Sequence, residues 1–208
     1  SMAEELSRRH FRNVRVWTRG VDRCLFHAYA RDYLGLPRPI MLYAGRLAVE
    51  KGVDDFLALR IEGSKVLVGD GPERERLRRI DPRAHFLGPR HGEAYARTLA
   101  AADVLVFPSH TDTFGLVMIE AMACGTPVGA YNTPASMDVV EDGVTGALAK
   151  TLEEAIERAC VLDRRSVAEG SLRFNWTTCA EMFASWLVPC GTVSRRPAAT
   201  QAILSRSR

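Results

Sequence analysis

Residues 111–128 read Thr-Asp-Thr-Phe-Gly-Leu-Val-Met-Ile-Glu-Ala-Met-Ala-Cys-Gly-Thr-Pro-Val. Asp112 stands just before a turn at Phe114-Gly115, and Glu120 falls inside the helix that follows. Gly125 and Pro127 end that helix and launch an apolar strand. A helix start of this kind suits an anion, because its first backbone N–H groups lack partners and its dipole favours negative charge. Carboxylates on either side can accept hydrogen bonds from sugar hydroxyls. Phosphate held by backbone, with hydroxyls held by flanking carboxylates, describes a nucleotide-sugar site. Glu120 sits amid Val117, Met118, Ile119, Ala121 and Met122, where an unpaired buried charge is costly. Ribose hydroxyls would supply the partner. The plainer alternatives are a loop carboxylate at 112 and a helix-surface charge at 120.

A second group is written Tyr-Ala-Gly-Arg-Leu-Ala-Val-Glu-Lys-Gly at 43–52. Arg46 follows Gly45 at the tip of a strand, and Lys51 lies near the start of the next helix. Two cations there suit a pyrophosphate, since Arg forks onto it and Lys offers a compact charge. The chain has three lysines against 25 arginines, so Lys51 stands out where cations are otherwise written as Arg. An ordinary solvated pair, Glu50–Lys51, is the competing reading. Gly69-Asp70-Gly71-Pro72 could let a base or ribose approach the backbone closely around Gly71. It could equally be a plain turn with Asp70 as a helix cap. Gly88-Pro89-Arg90-His91 is another strand-end loop, whose backbone could read a nucleobase edge.

The elements that must position these residues alternate. Short apolar runs at Ile40–Ala44, Val66–Val68, Ala84–Leu87, Val104–Phe107, Pro127–Ala130 and Ala147–Leu148 read as strands. Helical stretches lie between them at Val49–Leu59, Pro72–Arg79, Gly92–Ala102, Leu116–Cys124 and Met137–Val140. Two more helices follow, at Leu152–Leu162 and Thr177–Leu187, and Val14–Trp17 is a further short strand candidate. Leu25–Leu34 reads as an irregular or helical connector. The alternation predicts an α/β fold with a doubly wound parallel sheet, Rossmann-like, covered on both faces. Ligands of such sheets bind beyond the C-terminal ends of the strands, where Gly45-Arg46, Gly69–Gly71, Gly88 and 110–114 all fall. The organisation expected is a boundary segment at 1–12, one nucleotide-sugar-binding domain at 13–189 and a basic, flexible tail at 190–208.

Composition narrows the classes. Hydrophobic content of 47% and charged content of 25% are those of a soluble globular protein. The net charge is +3, and the tail carries Arg195, Arg196, Arg206 and Arg208 without an acid, so the folded body is close to neutral. That argues against a nucleic-acid partner. Five widely spaced cysteines without a Cys-x-x-Cys pair read as idle thiols in a reducing compartment. The five histidines show no His-x-x-x-His ligand pair, so no zinc site is expected. No apolar run approaches the roughly 20 residues of a membrane span, and Ser1–Arg12 is not a signal peptide. Those features point to the cytoplasm, with peripheral membrane association open to a full-length enzyme.

Taken together, Gly-Arg-x-x-x-x-Lys-Gly at 45–52, Val-Gly-Asp-Gly-Pro at 68–72, Phe-Leu-Gly at 86–88 and the acidic pair resemble the family-4 (group 1) retaining glycosyltransferases of the GT-B fold. The likeness is to their C-terminal, donor-binding domain. That family writes Glu, seven residues, Glu; here the spacing is kept as Asp112 and Glu120. The Thr-Asp-Thr-Phe-Gly form looks like the mannosyl- and sulfoquinovosyl-type glycolipid branch. The resemblance implies that Arg46 and Lys51 hold the diphosphate, and that Asp112 contacts the transferred sugar. Glu120 would hold the ribose diol, and Thr113, Phe114, Gly115 and Leu116 would line the phosphate and sugar. Gly45, Gly71, Arg90 and His91 complete the expected donor site. No cofactor is implied beyond the nucleoside-diphosphate sugar itself, of GDP-mannose or UDP-glucose type, and no metal, since the resemblance implies metal independence and no Asp-x-Asp occurs. The acceptor would be a glycolipid or polysaccharide, held by an N-terminal acceptor domain that this sequence lacks. The chain alone is therefore expected to bind nucleotide without transferring sugar. Two other readings stand beside this one: a stand-alone, non-catalytic nucleotide-binding or interaction module, and half of a sugar-nucleotide epimerase.

Overall fold

Apolar runs released by prolines and glycines build the sheet. In the computed structural model, which describes residues 2–15 and 17–187, Ile40–Ala44 forms β1, Ser64–Val68 β2 and His85–Gly88 β3. Val104–Phe107 forms β4, Val128–Tyr131 β5 and Gly146–Ala149 β6. All pairings are parallel, in the order β3-β2-β1-β4-β5-β6. This is the doubly wound order that reverses between β1 and β4, so a crevice opens beyond the C-terminal ends of those two strands. The expected fold class holds.

Helices cover both faces, and side chains alternate between two cores along each strand. Ile40, Leu42 and Ala44 of β1 join one core with Leu105 and Phe107 of β4. Met41, Tyr43, Val104 and Val106 join the other. The helices are α1 (Met2–Arg8), α2 (Val53–Ala58), α3 (Arg74–Ile80), α4 (Gly92–Ala101) and α5 (Leu116–Ala123). They continue with α6 (Pro134–Val139), α7 (Leu152–Cys160), α8 (Arg164–Gly170) and α9 (Trp176–Trp186). Among the described residues, no helix is long and apolar enough to cross a membrane.

Three differences from the sequence expectation have physical causes. Val14, Arg15 and Trp17 add no strand. The Trp17 indole instead donates to the Cys179 carbonyl (3.0 Å) and its ring lies 5.3 Å from Phe183, so α9 takes up this segment. The single helix expected at Val49–Leu59 is split into a 3-10 turn, Val49–Lys51, and α2. Gly52 breaks it with φ 64°, at a point where a Cβ would come 2.6 Å from the Pro108 carbonyl. Thus the chain after β1 is pressed against the chain after β4. The third is α8, a helix absent from the sequence reading, which starts where the Asp163 carboxylate accepts from the Ser166 N–H (2.8 Å) and which buries Val167; Leu25–Leu34 is irregular, one of the two forms expected. The tail at 190–208, expected to be flexible, lies outside the described residues.

Candidate functional site

The loops leaving β1, β2 and β3 are stitched together by backbone. The Gly45 N–H donates to the Val68 carbonyl, that of Gly69 to Gly88, and that of Leu47 to Asp70, each at 2.9 Å. A Cβ at Gly71 would lie 2.2 Å from the Leu47 carbonyl. The close approach that Gly71 permits is therefore loop against loop.

On the other side of the crevice, β4 ends at Phe107 and the chain turns through Pro108 to Gly115 into α5. Ser109 is buried, and its hydroxyl accepts from the N–H groups of Thr111 and Asp112 (both 3.3 Å). That local turn fixes Asp112. The Thr111 hydroxyl reaches back to the Glu50 carbonyl at 3.1 Å. Gly115 caps α5 with φ 81°, in the left-handed region that favours glycine. A Cβ there would meet Met118 and Phe107, each at 2.8 Å. No side chain caps α5, which leaves the first N–H groups of the helix available to an anion.

A crevice of about 530 Å³ lies between these loops. Gly45, Arg46 and Lys51 line it from β1, Asp112, Gly115 and Leu116 from the β4 side, and Tyr95 from α4. Lys51 and Asp112, 61 residues apart, form an ion pair at 2.5 Å. Arg46 is exposed, and its guanidinium has no hydrogen bond or ion pair among the described residues. The Tyr43 hydroxyl donates to the Arg46 carbonyl (2.7 Å) and so fixes the exit of β1.

Glu120 lies one helical turn beyond Leu116 and meets the crevice through Tyr95, which lines it. It is half-buried, and Tyr95 Oη donates to its Oε2 at 3.0 Å. Burial raises the Glu120 carboxyl above its ordinary value, and the Tyr95 hydrogen bond opposes that rise without cancelling it. Burial and the Glu120 charge together push the Tyr95 phenol well up, so it stays a donor.

Of the residues singled out from sequence, Gly45, Arg46, Lys51, Asp112, Gly115 and Leu116 come together in this crevice, and Glu120 is joined to it through Tyr95. Five others do not line it. Gly71 packs under Leu47. Arg90 donates to the Thr98 hydroxyl (2.9 Å) and lies over the Tyr33 ring (5.8 Å). His91 is exposed at the start of α4. Thr113 and Phe114 line a neighbouring apolar hollow of about 300 Å³ with Trp17 and Phe174. The sequence reading missed Ser109 and Tyr95. The available signal for Tyr95 was a lone aromatic in the alanine-rich stretch Gly92–Ala102.

A larger hollow, about 770 Å³, opens at the opposite edge of the sheet, where β2 and β3 begin. Its buried cation, Lys65, already binds Asp81 (3.1 Å) and the Leu57 carbonyl. The crevice at the strand-order reversal adds the uncapped start of α5 to its exposed cation, Arg46.

Comparison with known proteins agrees with this fold. The family model for glycosyl transferases group 1 matches residues 38–162. The D-inositol 3-phosphate glycosyltransferase of Mycolicibacterium smegmatis is 33% identical over 76% of this chain and 43% of its own. A GDP-mannose-dependent alpha-mannosyltransferase of the same organism is 38% identical over 71% of this chain and 42% of its own. Among solved structures, Anabaena Alr3699/HepE in complex with UDP superposes with a TM-score of 0.68. It is 26% identical and covers 82% of this chain and 56% of that one. The chain thus spans less than half the length of these two curated relatives.

Proposed function

This chain belongs to the group 1 glycosyltransferases, and from that premise we propose that its crevice binds a nucleoside-diphosphate sugar as the donor of a retaining glycosyl transfer. The observation that carries the reading is the convergence of Arg46, the Lys51–Asp112 pair and the uncapped start of α5 on one crevice. Arg46, Lys51 and the α5 N–H groups face the diphosphate. An ammonium has three donors, so Lys51 can keep Asp112 and still reach a phosphate oxygen. Asp112 retains lone pairs for a hydroxyl of the transferred sugar. Glu120 accepts from the ribose diol.

During transfer the bond between the anomeric carbon and the phosphate oxygen breaks, and an acceptor hydroxyl takes its place on the same face. Negative charge grows on the departing diphosphate, where two cations and the helix start already point. The proton of the acceptor hydroxyl leaves with that diphosphate. No metal is needed in this scheme, because the chain's own groups supply the positive charge.

The donor fits a GDP-mannose or UDP-glucose type, since relatives and neighbours carry GDP-mannose and UDP in their names. The acceptor would be a glycolipid or polysaccharide, brought in by a second domain in a cytoplasmic enzyme. On this reading the present span binds donor without transferring it. Calorimetric titration with GDP, UDP and ADP and their sugar conjugates, with chelator present, tests the proposal. Saturable binding of one, selective over the others, is expected. Failure of all of them to bind would overturn the donor-site reading, and sugar transfer by this chain alone would overturn the need for a second domain.

A further inference from the structure

Tyr95 lies outside every motif by which the site was found, yet it is the residue that touches Glu120. Its ring lines the crevice and stands edge-on to Phe26, with centroids 6.0 Å apart, which fixes its orientation. Its hydroxyl meets Oε2 of Glu120 from the neighbouring helix. The helices that carry the two residues are locked at their far ends by Arg164. That guanidinium donates to the Ala100 and Ala102 carbonyls at the end of α4 (2.7 and 2.6 Å) and to the Thr126 hydroxyl just past α5 (2.9 Å). Neither helix can slide without breaking those bonds, so the Tyr95–Glu120 pairing is built into the packing.

A carboxylate offers about four lone-pair sites on two oxygens. Tyr95 takes one of them on Oε2, and among the described residues no other group bonds the carboxylate. That remainder matches two adjacent hydroxyl donors, which is what a ribose presents and a 2′-deoxyribose does not. We infer that Tyr95 is a positioning residue: it holds the Glu120 carboxylate in the orientation that accepts a vicinal diol, and so sets the preference for ribose over deoxyribose. The inference rests on the donor-site reading above and assigns the ribose end of that site.

The test is Tyr95→Phe, which keeps the ring and its edge contact with Phe26 and removes the hydroxyl. Affinities of the whole chain for GDP and UDP, and for their 2′-deoxy counterparts, are measured for both proteins. An unpinned carboxylate must be immobilised on binding, at a cost equivalent to roughly two- to tenfold in affinity. That loss falls on the ribonucleotide, so the ribo-to-deoxy ratio should shrink by a similar factor. In a Glu120→Ala background, where nothing is left for Tyr95 to hold, the same substitution should leave the ratio unchanged, because Tyr95 acts through the Glu120 side chain. Equal losses for ribo and deoxy forms, no change in either, or an undiminished effect in the Ala background would each overturn the inference while leaving the donor site standing. Failure of the unsubstituted chain to bind either diphosphate would instead overturn the donor-site reading, and this inference with it.

Discussion

Glu120→Gln should move stability and binding in opposite directions. The carboxylate sits in a helix whose Met118, Ile119, Ala121 and Met122 are fully buried, with the Tyr95 hydroxyl as its hydrogen-bond donor. Its protonation is raised because burial outweighs that bond. A carboxyl with a raised folded value binds protons more readily native than unfolded, so native stability is lost as pH rises through that window. A glutamine has no charge to bury and still accepts from Tyr95. Near pH 8 the variant should therefore be the more stable, by on the order of 1 kcal/mol, or about 2–4 °C in melting temperature for a domain of this size. Toward and below the ordinary carboxylate value of 4.5, the native Glu120 is itself neutral and the advantage should vanish. Nucleotide affinity should fall by about 1–3 kcal/mol, the scale for hydrogen bonds to a charged acceptor. Thermal melts from pH 4 to 8 and calorimetry at pH 8 read the two effects separately. A variant less stable than the parent at pH 8 would refute the burial argument. Unchanged nucleotide affinity would remove Glu120 from the site.

Three further outcomes follow from the crevice geometry. Lys51→Ala should weaken nucleoside diphosphate by about 1.5–3 kcal/mol and nucleoside far less; equal losses in calorimetry would mean that Lys51 does not face the phosphates. Asp112→Asn should release Lys51, so diphosphate affinity stays level or rises within about 1 kcal/mol while the added affinity of the sugar conjugate is lost; a fall in diphosphate affinity would show that the ion pair, rather than Lys51, holds the phosphates. Gly115→Ala should cost about 2–4 kcal/mol, combining left-handed strain with the collision against Phe107 and Met118; a urea midpoint unchanged from the parent would contradict that geometry.

The parts legible in sequence are those decided locally. Ile40–Ala44 and Val104–Phe107 are uninterrupted apolar runs, and a run buried on both faces reads as a parallel strand wherever it lies. Residues directly after such strands, namely Gly45, Arg46, Asp112 and Gly115, are then carried to one edge of the sheet by topology alone. What failed depended on which element packs against which. Val14–Trp17 has the composition of a strand, and nothing local says that α9 will take its tryptophan. Arg90 and His91 leave a strand end like Arg46, but β3 is the outermost strand on its side of the sheet and its loop turns toward Tyr33 and Thr98. Tyr95 could be tied to Glu120 only by knowing how α4 crosses α5.

The two carboxylates illustrate the same division in energetic terms. Asp112 sits at an open rim, held by Lys51 and by the turn that Ser109 organises, so its position is set by neighbours within the loops. Its short side chain suits that arrangement, since the ammonium it must reach comes to it across the crevice. Glu120 is held from behind, by a tyrosine on another helix and by burial that penalises its charge. A charge kept in such a place costs the fold stability that a glutamine would return, so its presence has to be accounted for by something the fold alone does not use. On the function proposed here, hydroxyl donors entering from the crevice would supply that account. They would compensate the carboxylate at the moment of binding, and the affinity gained is the energy the empty protein leaves unspent.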